Sequence, residues 1–318
     1  MRFLLLTIMA LASPALAQRT EIPIRPVILS DGVRRYSVTV EIDGKPVEVG
    51  LDTGSTGLRL LPAAVPKAAT RRGVEVRYRY GSGIEFAGPA VPVALAAGTL
   101  SRDGVRVQRI DKRSCLPHAQ ACAPDKIARA DFGIQGDGLP GEGFAGIMGI
   151  GFRADPVGNP LEAMGARRWI VDLPRAGEAA GRLVLNPSPD EVARYRQFSV
   201  IGDTNQVAGC VVAADGSARI CAPTMVDTGA SGVRVQGGTP KQIFPQGTRA
   251  LLVLGDGKAA VSMPVTIGRR DQASGMRLYP ARQEGRLNLS FGIAPYLHWS
   301  ILYDADTRRI GVAERPGE

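Results

Sequence analysis

The chain has 318 residues, with 39 glycines, 23 prolines, 39 Lys/Arg against 30 Asp/Glu, and a formal net charge of +9. Its basic residues are scattered, without a long basic run or interleaved aromatic residues, so the composition argues against nucleic-acid binding. Apart from one apolar run near the start, no segment approaches the roughly 20 apolar residues that span a bilayer, so we expect no stable membrane anchor.

The first 17 residues predict a secretory signal peptide. Arg2 provides a positive start, residues 3–12 form an apolar run, and Ala15–Ala17 is a small-x-small cleavage site. Cleavage before Gln18 leaves 301 of the 318 residues, enough for two domains. We therefore expect a periplasmic or secreted protein, and a signal anchor retained in the membrane is the alternative.

Short runs rich in Val and Leu, separated by Gly and Pro, predict a mostly β protein. Apolar residues alternate from Tyr36 to Leu51 around Asp43-Gly44, which predicts a hairpin whose second strand leads into Asp52. Residues 74–86 predict a second hairpin with its tip at Gly81-Ser82-Gly83. Farther along, Asn159-Pro160 predicts the capped start of a short helix, and residues 174–190 predict a hinge.

The four cysteines predict disulfide bonds, because an even count is typical of exported proteins. Three pairings are possible, and we favour the local one, Cys115 with Cys122 and Cys210 with Cys221, which closes two short loops. Neither pair has CxxC spacing, and the chain contains only two histidines, His118 and His298. We therefore expect no metal site.

One ten-residue pattern occurs twice. Leu51–Leu60 reads LDTGSTGLRL, and Val226–Val235 reads VDTGASGVRV, identical at five positions. The shared frame predicts a duplicated structural unit. Two such units related by a two-fold axis would bring Asp52 and Asp227 together, and paired carboxylates that share one proton can activate a water molecule.

The repeat and its surroundings resemble the pepsin-like, two-lobed aspartic peptidases of bacterial type. The resemblance extends along most of the chain through ordered landmarks: Tyr36–Gly54, Tyr80–Gly83, Phe144–Phe152, Val226–Ser231, Leu289–Gly292, and Tyr303-Asp304 with Ile310–Ala313. It implies a mostly β, bilobal fold of two β-barrel-like lobes with a central cleft, the first lobe at 18–180 and the second at 181–318.

The resemblance also implies residue roles and an activity. It implies endopeptidase activity on proteins or peptides with no cofactor, and a monomer that carries both halves of its site. Asp52 and Asp227 would be catalytic, while Thr53, Ser55 and Thr228 would support them. Substrate binding would involve the flap tyrosine Tyr80 and, along the substrate backbone, Gly54, Gly81, Ser82, Gly229 and Ser231.

Three departures from the family pattern carry expectations of their own. Ala230 stands where the second loop commonly has Thr, which removes a hydrogen bond from ionised Asp227 and predicts activity nearer neutral pH. Arg59 replaces the tryptophan near the flap tyrosine, and Arg234 occupies the matching place. Each arginine is expected to pair with an acid, to affect the surroundings of the dyad, or to extend to solvent. No prosegment is expected, since Asp52 lies 34 residues after Gln18.

The sequence is also consistent with functions other than peptide hydrolysis. A pepsin fold that binds without cutting remains open, although two whole Asp-Thr-Gly triplets favour an enzyme. Two G-x-G-x-x-G segments within 136–146 carry acidic residues and do not clearly follow a strand, which argues against nucleotide binding. Tyr80 could be an ordinary hairpin aromatic residue, and His298 is expected to be structural.

Overall fold

The structure is a computed structural model that describes residues 18–65, 73–116, 122, 127–175, 177–237, 244–279 and 286–315. The prediction of a mostly β protein is confirmed, and the described strands form two sheets. The predicted signal peptide at 1–17 and the predicted loop residue His118 lie outside the described residues.

The larger sheet combines strands from both ends of the chain, numbered here in chain order. Its fourteen strands are β1 (Thr20–Ile28), β2 (Arg34–Ile42), β3 (Lys45–Asp52), β4 (Thr56–Leu60), β5 (Val74–Arg79), β6 (Ile84–Ala97), β7 (Leu100–Arg109), β8 (Lys112–Cys115), β9 (Gly146–Ile150), β10 (Arg168–Asp172), β11 (Gly181–Leu185), β12 (Arg196–Ser199), β20 (Trp299–Asp304) and β21 (Arg309–Glu314). Their order is β12-β21-β20-β10-β11-β1-β2-β3-β9-β4-β7-β6-β5, with β8 paired to β6.

The smaller sheet contains the second Asp-Thr-Gly loop. Its seven strands are β13 (Gln206–Ala213), β14 (Arg219–Met225), β15 (Val233–Gln236), β16 (Arg249–Leu254), β17 (Val261–Thr266), β18 (Met276–Tyr279) and β19 (Asn288–Ser290), in the order β17-β16-β13-β14-β19-β15-β18. The α-helices are short: α1 (Pro160–Ala163), α2 (Pro189–Ala193) and α3 (Ala294–His298). Single 3₁₀ turns occur at Pro62–Ala64, Arg129–Asp131 and Gly257–Ala259. Within the described ranges, no helix is long and apolar enough to cross a membrane.

The local elements predicted from turn and cap residues are confirmed. Strands β2 and β3 form the first hairpin, and Asp43 (φ 49°) and Gly44 (φ 76°) have the positive φ angles of a type I′ turn. Strands β5 and β6 form the second hairpin with its tip at the predicted position. Helix α1 begins after Asn159, whose side chain accepts a hydrogen bond from the Leu161 N–H, and Pro160 occupies the first helical position.

The two copies of the repeat lie in the same arrangement of strands. Strand β3 pairs in parallel with β9, β9 pairs antiparallel with β4, and β4 pairs in parallel with β7. Strand β14 likewise pairs in parallel with β19, β19 pairs antiparallel with β15, and β15 pairs in parallel with β18. This common topology supports the duplicated unit inferred from the sequence.

The larger sheet crosses the predicted boundary between residues 180 and 181. Strand β11, just beyond that boundary, pairs with β1 and β10, and β10 also pairs with the late strand β20. Strands from the last part of the chain therefore extend a sheet that begins at the first strand. The division into two lobes remains a prediction.

Apolar side chains of both sheets form one continuous core. It includes Leu51 and Leu58 beside the first Asp-Thr-Gly loop and Val226 and Val233 beside the second, each at most 1% exposed. A smaller cluster lies under the second hairpin and contains Phe86, Ile110, Phe132, Ile134 and Ile147. Fully burying such a side chain contributes about 1.5–3 kcal/mol, so both loops are held by strongly buried strands.

The favoured disulfide pairing is confirmed. Cys115, at the end of β8, bonds to Cys122, whose sulfur lies 3.8 Å from the carbonyl oxygen of Gly83 at the hairpin tip. Cys210 and Cys221 face each other across β13 and β14 and form the second bond. Disulfides persist mainly in oxidising compartments, so both bonds suggest a location outside the cytoplasm.

We predict that the Cys210–Cys221 bond stabilises the smaller sheet. The two cysteines are 11 residues apart, and closing a loop of this size lowers the entropy of the unfolded chain. The Cys210→Ala/Cys221→Ala variant should lose about 2–3 kcal/mol of unfolding free energy in urea denaturation. Equal midpoints for this variant and the oxidised parent protein would contradict the prediction.

Candidate active site

Each Asp-Thr-Gly triplet begins where a central strand ends. Asp52 is the last residue of β3, where it pairs with Gly149 of β9. Asp227 follows β14, and its backbone N–H donates to the carbonyl oxygen of Gly292, 3.1 Å away, just after β19. The duplicated strand pairs therefore fix the backbone of both aspartates.

The structure brings the two carboxylates together. Asp52 and Asp227 are only 5% and 8% exposed, and the charge of Asp52 acts on the carboxyl group of Asp227. Each triplet's glycine faces the opposite aspartate: an ideal Cβ on Gly54 would lie 2.5 Å from Cγ of Asp227, and one on Gly229 would lie 2.9 Å from Oδ1 of Asp52. Only glycine permits this close approach, which explains why both triplets end in it.

Backbone amides orient both carboxylates in the same way. The N–H of Gly54 donates to Oδ1 of Asp52, and the N–H of Gly229 donates to Oδ1 of Asp227, each at 2.9 Å. These bonds favour the ionised form of each carboxylate. They also leave the second oxygen of each group available for other partners.

The two threonines join the loops reciprocally, in the arrangement expected from the resemblance. The N–H of Thr53 donates to Oγ1 of Thr228, and the N–H of Thr228 donates to Oγ1 of Thr53, both at 3.0 Å. The Thr53 hydroxyl donates to the carbonyl oxygen of Val226 (3.1 Å), and the Thr228 hydroxyl donates to that of Leu51 (2.7 Å). Four buried hydrogen bonds thus hold the residues next to the aspartates in register.

The surroundings of the two carboxylates differ at the position three residues after each aspartate. The Ser55 hydroxyl donates to Oδ2 of Asp52 at 2.6 Å, as expected, whereas the fully buried Ala230 has no side-chain donor for Asp227. Burial and the charge of Asp52 raise the pKa of Asp227 to about 7. The charge of Arg234 and the Gly229 N–H act in the opposite direction. The pair therefore holds one proton to higher pH than an isolated aspartate would.

Two polar side chains that the sequence analysis did not single out also hold the loops. Arg35 of β2, buried and paired with Asp137, donates to the carbonyl oxygen of Gly229 at 3.0 Å. The buried Asn205 donates to the carbonyl oxygen of Gly54 at 3.1 Å. Each loop is thus held by a side chain from the opposite half of the sequence.

The residues predicted to bind substrate differ in exposure: the tip residues are exposed, whereas Tyr80 is partly buried. Gly81, Ser82 and Ser231 are exposed. Tyr80 packs against Phe86 in the smaller core cluster, and its buried hydroxyl has no hydrogen-bond partner among the described residues. The substrate-binding roles of all these residues remain predictions.

Arg59 lies beneath the second hairpin, with its guanidinium group over the ring of Tyr78. Its guanidinium carbon is 3.5 Å from the centre of the Tyr78 ring, and its Nη2 pairs with Asp155. Both side chains of that ion pair are only 2% exposed. Of the expectations for Arg59, pairing with an acid is confirmed and extension to solvent is wrong, because the aromatic ring and the acid enclose it.

Arg234, the counterpart of Arg59 in the second copy, has a different environment. It is partly buried and lies 5.8 Å from the ring centre of Tyr279, a looser contact. Its charge acts on Asp227, so it lies within the electrostatic surroundings of the dyad. His298 contacts the ring of Trp299 at a centroid distance of 5.2 Å, and its structural role remains a prediction.

The described residues contain no group of three or more His, Cys, Asp or Glu side chains able to hold a metal ion. What they do contain is a pair of adjacent, buried carboxylates, and a pair of this kind that shares one proton can act as acid and base at the same pH. Comparison with family models and with curated proteins found no match for this chain. The repeated motif and the geometry of the two carboxylates are therefore the basis for a proposed function.

Proposed function

We propose that this chain is an exported, pepsin-like aspartic endopeptidase that hydrolyses peptide bonds with a water molecule activated between Asp52 and Asp227. The observation that carries the proposal is the pair of adjacent buried carboxylates, each covered by the glycine of the opposite loop. The repeated strand topology around the two loops supports a pepsin-like, two-lobed arrangement.

The proposed reaction uses the single proton of the pair. The ionised carboxylate accepts a proton from water as the water oxygen bonds to the peptide carbonyl carbon, and the protonated carboxyl group donates to the carbonyl oxygen. The tetrahedral intermediate then collapses: one of its two hydroxyl groups returns a proton to the carboxylate that donated one, and a C=O bond re-forms as the C–N bond breaks. The leaving nitrogen takes from the other carboxyl group the proton that came from water, which restores the singly protonated pair. Because the titrations of the two groups are coupled, the acid and base roles belong to the pair.

Further features support the proposed setting of this enzyme. Both Asp-Thr-Gly loops come from one chain, so a monomer can form the complete dyad. The two disulfide bonds favour an oxidising compartment, and we propose the periplasm or the extracellular medium. The substrate is a protein or peptide.

The activity is expected to peak nearer neutral pH than stomach pH. Burial and the charge of Asp52 raise the pKa of Asp227, so the singly protonated pair persists as pH rises and is lost only when pH passes about 7. The measurement is kcat/KM for a quenched peptide library between pH 3 and pH 9. A maximum below about pH 4, near the ordinary carboxyl range, would contradict this expectation.

The same digestion tests the proposed function itself. The expected result is cleavage by the mature, disulfide-bonded protein without added metal. If the folded protein cleaves no member of the library at any pH, the proposal fails. A pepsin fold that binds without cutting would then be the better interpretation.

A further inference from the structure

Two buried tyrosines lie directly behind the threonines that join the catalytic loops. Tyr296 is in α3 and Tyr303 is in β20, and both side chains are fully buried. The Tyr296 hydroxyl donates to Oγ1 of Thr53 at 2.7 Å, and the two tyrosine hydroxyl oxygens are 2.5 Å apart. Two residues from near the end of the chain therefore contact the first catalytic loop.

The direction of these hydrogen bonds follows from counting protons. Oγ1 of Thr53 uses its one proton toward the carbonyl oxygen of Val226 and accepts from the Thr228 N–H and the Tyr296 hydroxyl. Since the proton of Tyr296 is directed at Thr53, Tyr303 must be the donor to Tyr296. The result is a chain of three hydroxyl groups that ends on the carbonyl group immediately before Asp227.

This chain breaks the symmetry of the paired loops. Oγ1 of Thr228 donates to Leu51 and accepts from the Thr53 N–H, and it has no third partner in the part of the protein that the structure describes. Successive hydrogen bonds polarise one another in a buried environment, so the chain should strengthen the bond from Thr53 to Val226. The Leu51 carbonyl on the other side has no such support.

Aromatic contacts hold the Tyr303 ring, and both tyrosine hydroxyl groups stay neutral. The Tyr303 ring stacks on Trp169 with centroids 6.0 Å apart and contacts the edge of Phe152 at 5.7 Å. Burial raises the pKa of Tyr296 and of Tyr303 above the usual tyrosine range. Neither hydroxyl group therefore ionises at the pH values at which the carboxylates titrate.

We propose that Tyr296 and Tyr303 are positioning residues of the dyad, which hold the Val226–Asp227 peptide against the first loop and so keep the two carboxylates close enough to share a proton. The catalytic part of this inference rests on the proposed function. Its geometric part concerns the separation of the carboxylates and can be measured whether or not the protein is an enzyme.

The test compares Tyr296→Phe and Tyr303→Phe with Tyr195→Phe. Tyr195 is the matched control, because its buried hydroxyl lies 2.5 Å from the Ser300 hydroxyl in a separate cluster. One readout is the pH titration of the aspartate carboxyl carbons by ¹³C NMR, with the dyad signals assigned from the Asp52→Asn and Asp227→Asn variants. The other readout is kcat and KM as functions of pH.

Tyr296→Phe should move the higher carboxyl pKa of the pair toward the ordinary range, because a wider separation weakens the effect of one carboxylate on the other. We expect kcat to fall about 10- to 100-fold with little change in KM, as for a displacement of catalytic groups. Tyr303→Phe removes only the outer link and should give a smaller shift in the same direction. The Tyr195→Phe control should alter stability alone.

The groups that face the carboxylates do not obscure this titration. They are Arg234, the hairpin residues Tyr78 and Tyr80, and the two buried tyrosines. Burial raises the pKa of Tyr78 and Tyr80 as well, and arginine keeps its charge, so among these neighbouring groups only the dyad changes protonation between pH 3 and pH 9.

An unchanged carboxyl titration in folded Tyr296→Phe would overturn the inference and leave the tyrosines a purely structural role. If Tyr296→Phe does not fold, an unchanged carboxyl titration in folded Tyr303→Phe would overturn the inference instead. If the parent protein cleaves no peptide, the proposed function fails, while the NMR titration still decides whether the tyrosines position the dyad.

Discussion

Replacing either Asp52 or Asp227 with asparagine is expected to lower kcat/KM for peptide cleavage by about 10⁴-fold, the upper range for the loss of a general acid or base. Asparagine keeps the size of the side chain and can still accept the hydrogen bond from Gly54 or Gly229. It cannot accept a proton from water or share one with its neighbour. The loss should therefore be in the chemical step, with the fold retained.

Stability provides the control for folding, and the sign of the effect at Asp227 is informative. Burial and the charge of Asp52 raise the pKa of Asp227, so the folded state binds its proton more tightly than the unfolded state does. The stability that protonated Asp227 contributes is fully present below the pKa of this group in the unfolded chain. It is lost as pH rises through the pKa of Asp227 in the folded protein. Asparagine avoids that loss, so Asp227→Asn should have a higher Tm than the parent protein at pH 8 and a similar Tm at pH 4.

The matched control is Asp215→Asn, which removes an exposed carboxylate in the turn after β13. It should retain full activity. Persistent cleavage by purified Asp52→Asn or Asp227→Asn would refute the dyad mechanism. A lower Tm for Asp227→Asn at pH 8 would show that ionised Asp227 does not destabilise the folded protein as expected.

Features encoded in neighbouring residues could be predicted from the sequence. The turn at Asp43-Gly44 and the cap at Asn159 depend on local backbone chemistry, and the repeated triplets marked the two loops that meet. The pairing of Cys210 with Cys221 could also be predicted, because both lie in strands joined by a short connection. In each case the physical cause lies within a few residues along the chain.

Contacts between distant parts of the chain could not be predicted in this way. Arg35 contacts a residue 194 positions away, Asn205 contacts one 151 positions away, and Tyr296 contacts one 243 positions away. None of the three belongs to the repeat, and each looks like an ordinary strand, loop or helix residue until the fold places it. The position of Arg59 was noticed, but its contacts depend on the register of a hairpin and on Asp155 from a later loop.

The hairpin tyrosines show how register limits such predictions. Tyr78 and Tyr80 are two residues apart, so they lie on the same face of the hairpin, and the YGSG pattern drew attention to Tyr80. In the structure, Tyr80 is partly buried and packs against the smaller core cluster, while Tyr78 lies over Arg59. Which tyrosine lies over Arg59 depends on the pairing of Tyr78 with Phe86 and on the position of Arg59. Only the folded chain supplies both.

The buried pair Arg59–Asp155 gives the largest expected effect on stability. Asp155→Ala should lower the free energy of unfolding by about 3–5 kcal/mol, because it leaves the enclosed guanidinium without its counter-charge. The remaining hydrogen bonds, to the carbonyl oxygens of Thr56 (2.6 Å) and Gly57 (3.2 Å), satisfy its donors only in part. Urea denaturation measures the change.

The double variant Arg59→Leu/Asp155→Ala separates the cost of an unpaired charge from the value of the pair. Replacing a buried ion pair by apolar groups is often neutral, so the double variant should recover most of the stability lost in Asp155→Ala. As a control, Asp271→Asn breaks the exposed pair with Arg269 and should leave the denaturation midpoint unchanged. A double variant as unstable as the single one would mean that the stability depends on the guanidinium's contacts with Tyr78 and the loop carbonyls, rather than on neutralisation of its charge.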